Sequence, residues 1–202
     1  MYRYILFLLI ILFCSESCSN NTLPKEGMIR YKADLELYPN FLVDHFPKEI
    51  KKKPIIVDIN NDTTNMCISF SLTKYYDQEN DLLSFPIKVS YHATDSNLVV
   101  IKRSLLLRKS RKRYSKEDLN NNYPIPYFEF KDYSDFRNAF SQETKSGLSK
   151  DFKINIIDSN VGGYWDGLKP LSYMPEGWKN GYSKGISINE KANIIIYWVI
   201  IW

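Results

Sequence analysis

The nine residues IIIYWVIIW at 194–202 leave this chain few ways to fold. Read with a period of two, Ile194, Ile196, Trp198, Ile200 and Trp202 fall on one face, and Ile195, Tyr197, Val199 and Ile201 on the other. Both faces are apolar, so the segment needs cover on two sides. A strand of this composition is normally central in its sheet. The alternative is an adhesive edge strand, and a long exposed apolar edge invites aggregation. Just ahead, ISI (186–188) and the polar run NEKAN supply the first arm and the turn of a hairpin. The chain is therefore expected to end inside its own fold, at Trp202.

The same period recurs upstream. MIRYKADLELY (28–38) alternates, with Ile29, Tyr31, Ala33, Leu35 and Leu37 on one face, and reads as a strand. So do KPIIVDI (53–59), NMCISFSLTKYY (65–76), FPIKVSYHA (85–93) and FKINIID (152–158). NLVVIKRSLLL (97–107) reads as a strand that pairs back on 85–93 across the turn residues Thr94, Asp95 and Ser96. Helical signals are fewer. A short helix fits Phe41–Phe46, stopped by Pro47. Ser115 caps a turn or two in KEDLNNN, and Ser134 caps DFRNAFSQETKSG, which Gly147 ends. Few helices among many strands give an α+β class with a largely antiparallel sheet. Hydrophobic residues make up 44% and aromatics 15%, enough for a packed core. No repeat or linker divides residues 28–202, which read as one domain.

The N-terminus reads as an address. Arg3 precedes the unbroken apolar run ILFLLIILF (5–13), and the small polar residues SESCSNNT follow. As a helix, nine residues rise about 14 Å, half of the roughly 30 Å hydrocarbon core of a bilayer. A cysteine directly after such a run resembles the signal of bacterial lipoproteins. The resemblance implies cleavage before the cysteine, its diacylation, and a chain held in the cell envelope by lipid. Cys18 follows the small residues Ser15 and Ser17 and is favoured; Cys14, behind the bulky Phe13, is the alternative. Residues 1–17 are then signal peptide, and 18–27, with Pro24 and Gly27, a lipidated flexible tether. Secretion as a soluble protein cut near Ser17 is the ordinary alternative. Cys67, the remaining thiol, is expected to be at least partly buried.

Several motifs suggest chemistry, and their context argues against each. GYSKG (181–185) fits G-x-S-x-G, the nucleophile elbow. That elbow needs a strand before the serine and a helix after it. Here LSYMPEGWKN precedes and a hairpin follows, with no Asp or His beyond Ser183. Gly181 and Gly185 are expected to let the chain turn into the hairpin. SLTK (71–74) and KSG (145–147) resemble pieces of the serine β-lactamase set, but Ser71 falls in a strand pattern. Asp58, Asn60 and Asp62 resemble half an EF-hand loop that lacks the turn glycine and the closing glutamate. Asp44 and His45 are adjacent, so their side chains are expected to diverge; His92 stands alone on a strand. No zinc-type spacing occurs, so neither a metal nor a cofactor is expected.

Two stretches suggest binding. RKSRKR places Arg108, Lys109, Arg111, Lys112 and Arg113 in one basic run, which fits anionic lipid headgroups or envelope polysaccharide rather than nucleic acid, or else a solvated loop. The glycine-rich stretch 161–185 carries Tyr164, Trp165, Tyr173, Trp178 and Tyr182. Long loops rich in aromatics serve as stacking platforms for sugars or protein partners, or fold back as a lid over the sheet. The resulting expectation is an envelope binding or scaffold module, facing the periplasm or the outside. A hydrolase built on His45 or His92, and a purely structural envelope component, are the alternatives.

Overall fold

The computed structural model describes residues 25–48, 56–61, 65–73, 85–102, 113–120, 122–129, 141 and 143–202. Among them the fold is α+β, built on one antiparallel sheet. Its strands are β1 (Ile56–Asn61), β2 (Met66–Thr73), β3 (Val89–His92), β6 (Lys153–Val161), β7 (Gly181–Asn189) and β8 (Ile194–Ile201), in the spatial order β1-β2-β8-β7-β6-β3. A separate two-stranded ladder joins β4 (Val100–Ile101) to β5 (Ile125–Pro126). The helices are α1 (Lys25–Glu36), α2 (Asn40–Val43) and α3 (Lys116–Leu119).

The two-faced strand lies at the centre, as its composition demands. β8 pairs with β2 on one edge and β7 on the other, and all its residues are buried. Its two faces feed two separate cores. Ile196, Trp198, Ile200 and Trp202 pack with Leu98–Ile101, Ile125, Phe128, Phe152 and Leu171. Ile195, Tyr197, Val199 and Ile201 pack with Tyr31, Tyr38, Leu42, Val43 and Phe46 from the α1–α2 segment. Each fully buried aliphatic side chain contributes about 1.5–3 kcal/mol, so this strand is the largest single source of hydrophobic stabilisation.

Three local expectations are corrected. Residues 28–36 are helical and 37–38 turn out of the helix, where an extended strand was expected. Tyr31 and Tyr38 are buried and Met28 and Leu35 half-buried, a 3-4-3 spacing that a helix lays on one side. Ile29 and Leu37, expected inward, are 68% and 58% exposed. Next, 97–102 does not pair back on β3. β4 runs parallel to β5, with Ile125 N donating to Val99 O at 2.9 Å and Tyr127 N to Ile101 O at 2.9 Å. Leu98, Val99, Val100 and Ile101 are all buried, so this piece crosses beneath the sheet instead of extending its edge. Last, Gly181–Gly185 belongs to β7 and is not a turn before it.

Other expectations hold. α2 lies just before Pro47, and Ser115 caps α3 with a full capping box, its Oγ accepting from Asp118 N at 3.2 Å. β1 and β2 form an antiparallel pair from Ile56↔Ser71 to Asn61↔Met66. Of the helix expected from Ser134 to Gly147, residues 141 and 143–147 are coil and turns, not helix, with Ser141 N donating to Gly147 O at 2.9 Å; the rest of it, residues 62–64 of the half-EF-hand, Cys14, Cys18 and the thiol of Cys67 lie outside the described residues or side chains. No helix among the described residues is long and apolar enough to cross a membrane.

Candidate functional site

The GYSKG stretch shows its purpose through register. In β7, Gly185 pairs with Trp198, and Gly181 exchanges backbone hydrogen bonds with Trp202 at 2.8 and 2.9 Å. Both tryptophans lie across the missing side chains. A Cβ on Gly185 would stand 2.5 Å from the Trp198 ring and collide with the carbonyl of Asn155; one on Gly181 would stand 2.8 Å from the Trp202 ring. Ser183 lies between the glycines on the same face, fully buried, its Oγ donating to Ser159 Oγ at 2.8 Å. Ser159 Oγ passes its own proton to Tyr182 O at 3.0 Å. The serine is a packed link in a buried chain of hydrogen bonds. Ser187 completes the row by accepting from Trp198 Nε1 at 3.1 Å.

The opposite face of β7 carries the ionisable groups. Lys184 is 6% exposed, and its Nζ donates to Phe41 O at 2.5 Å and to Asp44 Oδ1 at 2.6 Å. Asp44 also lies 3.7 Å from His45 Nδ1, so the neighbouring side chains do not diverge as expected. The His45 ring and the Lys184 ammonium together hold the Asp44 carboxyl down to about 2. The lysine contact is a short hydrogen bond and the histidine contact is too long for one, so Lys184 is the stronger partner. His45 is itself sealed at 1% exposure, with Nε2 3.1 Å from Trp198 O. Burial pushes its pKa below the ordinary histidine value. Beside this group, Tyr182 donates its hydroxyl to Asp158, and burial followed by that carboxylate raises the tyrosine pKa.

These polar groups border an aromatic corner. Tyr182 stands edge-on to Tyr164 at 4.6 Å and to Phe41 at 5.7 Å; Phe41 is 6.2 Å from Tyr164, and Tyr38 is 5.6 Å from Trp165. Phe41 and Val161 are 45% and 40% exposed, and the carboxylate side chains of Asp44 and Asp158 are 46% and 41% exposed. The result is an apolar, partly solvated surface with two carboxylates at its rim. Such a surface can stack on the apolar face of a sugar while accepting from its hydroxyls, or take a protein side chain with a cationic end.

Of the five aromatics singled out in sequence, the structure joins Tyr164, Trp165 and Tyr182 at this corner. The other two serve the opposite core. Tyr173 is buried there, and Trp178 is half-buried with its carbonyl accepting from Trp202 Nε1 at 2.9 Å. The loop thus wraps one end of the sheet and lays aromatics on both faces. Tyr38, Phe41, Asp44, Asp158 and Lys184 were missed. One signal existed: Lys184 stands between Tyr182 and Ile186 on an apolar face, and a buried lysine requires an acceptor.

The remaining expected sites disperse. His92 is exposed on β3, beside a groove of about 480 Å³ lined by Ile87, Lys153, Ile186, Ile188 and Glu190. Arg113 is exposed, and Arg108, Lys109, Arg111 and Lys112 lie outside the described residues. No group of three or more His, Cys, Asp and Glu converges among the described residues. No family model, curated protein or solved structure matches the chain.

Proposed function

We propose that this chain is a lipid-anchored cell-envelope module that binds a protein or glycan partner through its aromatic corner and does no chemistry of its own. The observation that carries the reading is the meeting of Phe41 and Tyr164 at Tyr182, with Trp165 against Tyr38 and the Asp44 and Asp158 carboxylates at the rim. The hydrogen-bond ties of Ser183 and His45 support a non-catalytic role. Each is buried, Ser183 tied to Ser159 within the sheet and His45 tying the α2 segment to Trp198 O through Nε2. The anchor reading is supported by the apolar run 5–13 and by Cys18 behind it. The basic run that includes Arg108 and Arg113 is a second contact, for anionic envelope material.

The test has two arms. Intact mass of membrane-extracted protein reads the anchor: a diacyl or triacyl increment should vanish in Cys18→Ala and persist in Cys14→Ala. Co-sedimentation with purified cell-wall sacculi, and benzophenone crosslinking from position 165 in intact envelopes, read the corner. Phe41→Asp should abolish whichever of the two signals the wild type gives. If the wild type neither sediments nor crosslinks above a probe at Thr94, the corner is not a binding surface.

A further inference from the structure

The outward side of α1 carries large apolar side chains among its charges. Tyr31, Leu35 and Met28 pack it against the sheet, yet Ile29 and Leu37 stand 68% and 58% exposed on the other side. At 100° per residue, Ile29, Ala33 and Leu37 fall within an arc of about 80° opposite Tyr31. Arg30 and Glu36 border that arc on its two sides, with Asp34 beyond Arg30 and Lys32 beyond Glu36; Arg30, Lys32 and Glu36 are exposed. No core contact accounts for the two exposed side chains. What lies nearby in the chain does. Only six residues lie between Cys18 and Lys25, the first residue of α1. Fully extended, that length reaches about 25 Å. A bilayer holding acyl chains on Cys18 is therefore always within reach of this helix.

We propose that α1 lies on the membrane surface, with Ile29 and Leu37 seated at the boundary of headgroups and acyl chains and with Arg30 and Lys32 beside anionic headgroups. The inference rests on the acylation of Cys18 in the reading above. It adds an orientation: Phe41, four residues beyond Leu37, places the aromatic corner at the membrane's edge, turned toward partners embedded in or lying on the same bilayer. Interfacial helices seat exposed apolar side chains at this boundary and reach the headgroups with the basic residues to either side.

The test is amide hydrogen exchange across residues 28–37 of the acylated chain in phosphatidylethanolamine–phosphatidylglycerol vesicles, against Cys18→Ala in solution. Intact mass of the vesicle sample is read alongside. The expected result is exchange slowed at least about threefold in vesicles, restored to the solution rate in the acylated Ile29→Glu/Leu37→Glu variant. Both positions are exposed, so the double variant keeps its fold. Unchanged exchange in an acylated sample overturns the docking and leaves the anchor standing. An unacylated sample fails the anchor reading, and the docking with it. Slowing that appears in Cys18→Ala and grows with protein concentration assigns the face to a second copy of the chain and also overturns the proposal.

Discussion

Gly185 and Gly181 show how a residue is fixed by what stands opposite it. Each gives up a side chain so that an indole on β8 can lie flat across the strand, a cross-strand compensation in which the aromatic covers the glycine backbone. Gly185→Ala should therefore cost about 3 kcal/mol, the upper end of overpacking penalties, since one obstacle is the backbone carbonyl of Asn155. Gly163→Ala, with nothing within 4 Å of its added Cβ, should stay within about 0.5 kcal/mol. Urea denaturation reads both, and combining Gly185→Ala with Trp198→Phe should recover about 1 kcal/mol relative to additivity. The sequence marks both glycines as special but not why. Their spacing suggests turning, and only the register with Trp198 and Trp202 reveals the need for room. That Ser183 does not stand at a strand-to-helix turn was legible from its flanks alone, because a hairpin and not a helix follows it.

Legibility changes from one element to the next. β8 declares itself because apolar residues on both faces permit one kind of place. α1 does not, because MIRYKADLELY satisfies two periods at once: every second residue from Ile29 to Leu37, and the helical set Met28, Tyr31, Leu35, Tyr38. The tie is broken by contacts with β8 that lie far along the chain, which no local pattern contains. Ala33→Pro separates the two conformations. In the middle of a helix it removes a backbone hydrogen bond and clashes with the preceding turn, and it should cost about 3 kcal/mol with a loss of helical circular dichroism. An unchanged dichroism spectrum would contradict the helix. The same lack of long-range information hid the parallel β4–β5 ladder. A run such as LVVI tells that it is buried but not which strand it joins.

For the molecule as a whole, the group that joins the α1–α2 segment to the sheet is also its acid-sensitive point. His45 is buried neutral against Trp198 O, with its pKa depressed by burial, while in the unfolded chain it titrates near about 6.5. Below that pH the unfolded chain binds a proton that the folded chain refuses, so stability falls as pH drops. Asp44 works at lower pH. With its carboxyl held at about 2, its contribution is complete above the ordinary carboxylate range and is lost progressively as pH falls from that range through 2. The urea midpoint should therefore decline between about pH 7.5 and 5, and His45→Gln should flatten that decline. A midpoint equally steep in the variant would place the acid sensitivity elsewhere. The candidate site was half legible for a related reason. Tyr164, Trp165 and Tyr182 could be picked out as aromatics, but that they part from Tyr173 and Trp178 depends on which face of the sheet each end of the loop reaches. The strand order has a further meaning in time. β1 and β2 touch the rest of the sheet only through β8, and β8 is the last of the six strands along the chain. A growing polypeptide can form the first hairpin and the β3–β6–β7 portion, yet among the described strands only β8 pairs with both, so the two halves of the sheet join late. Completion of the sheet thus waits on β8, the one strand that pairs with both halves.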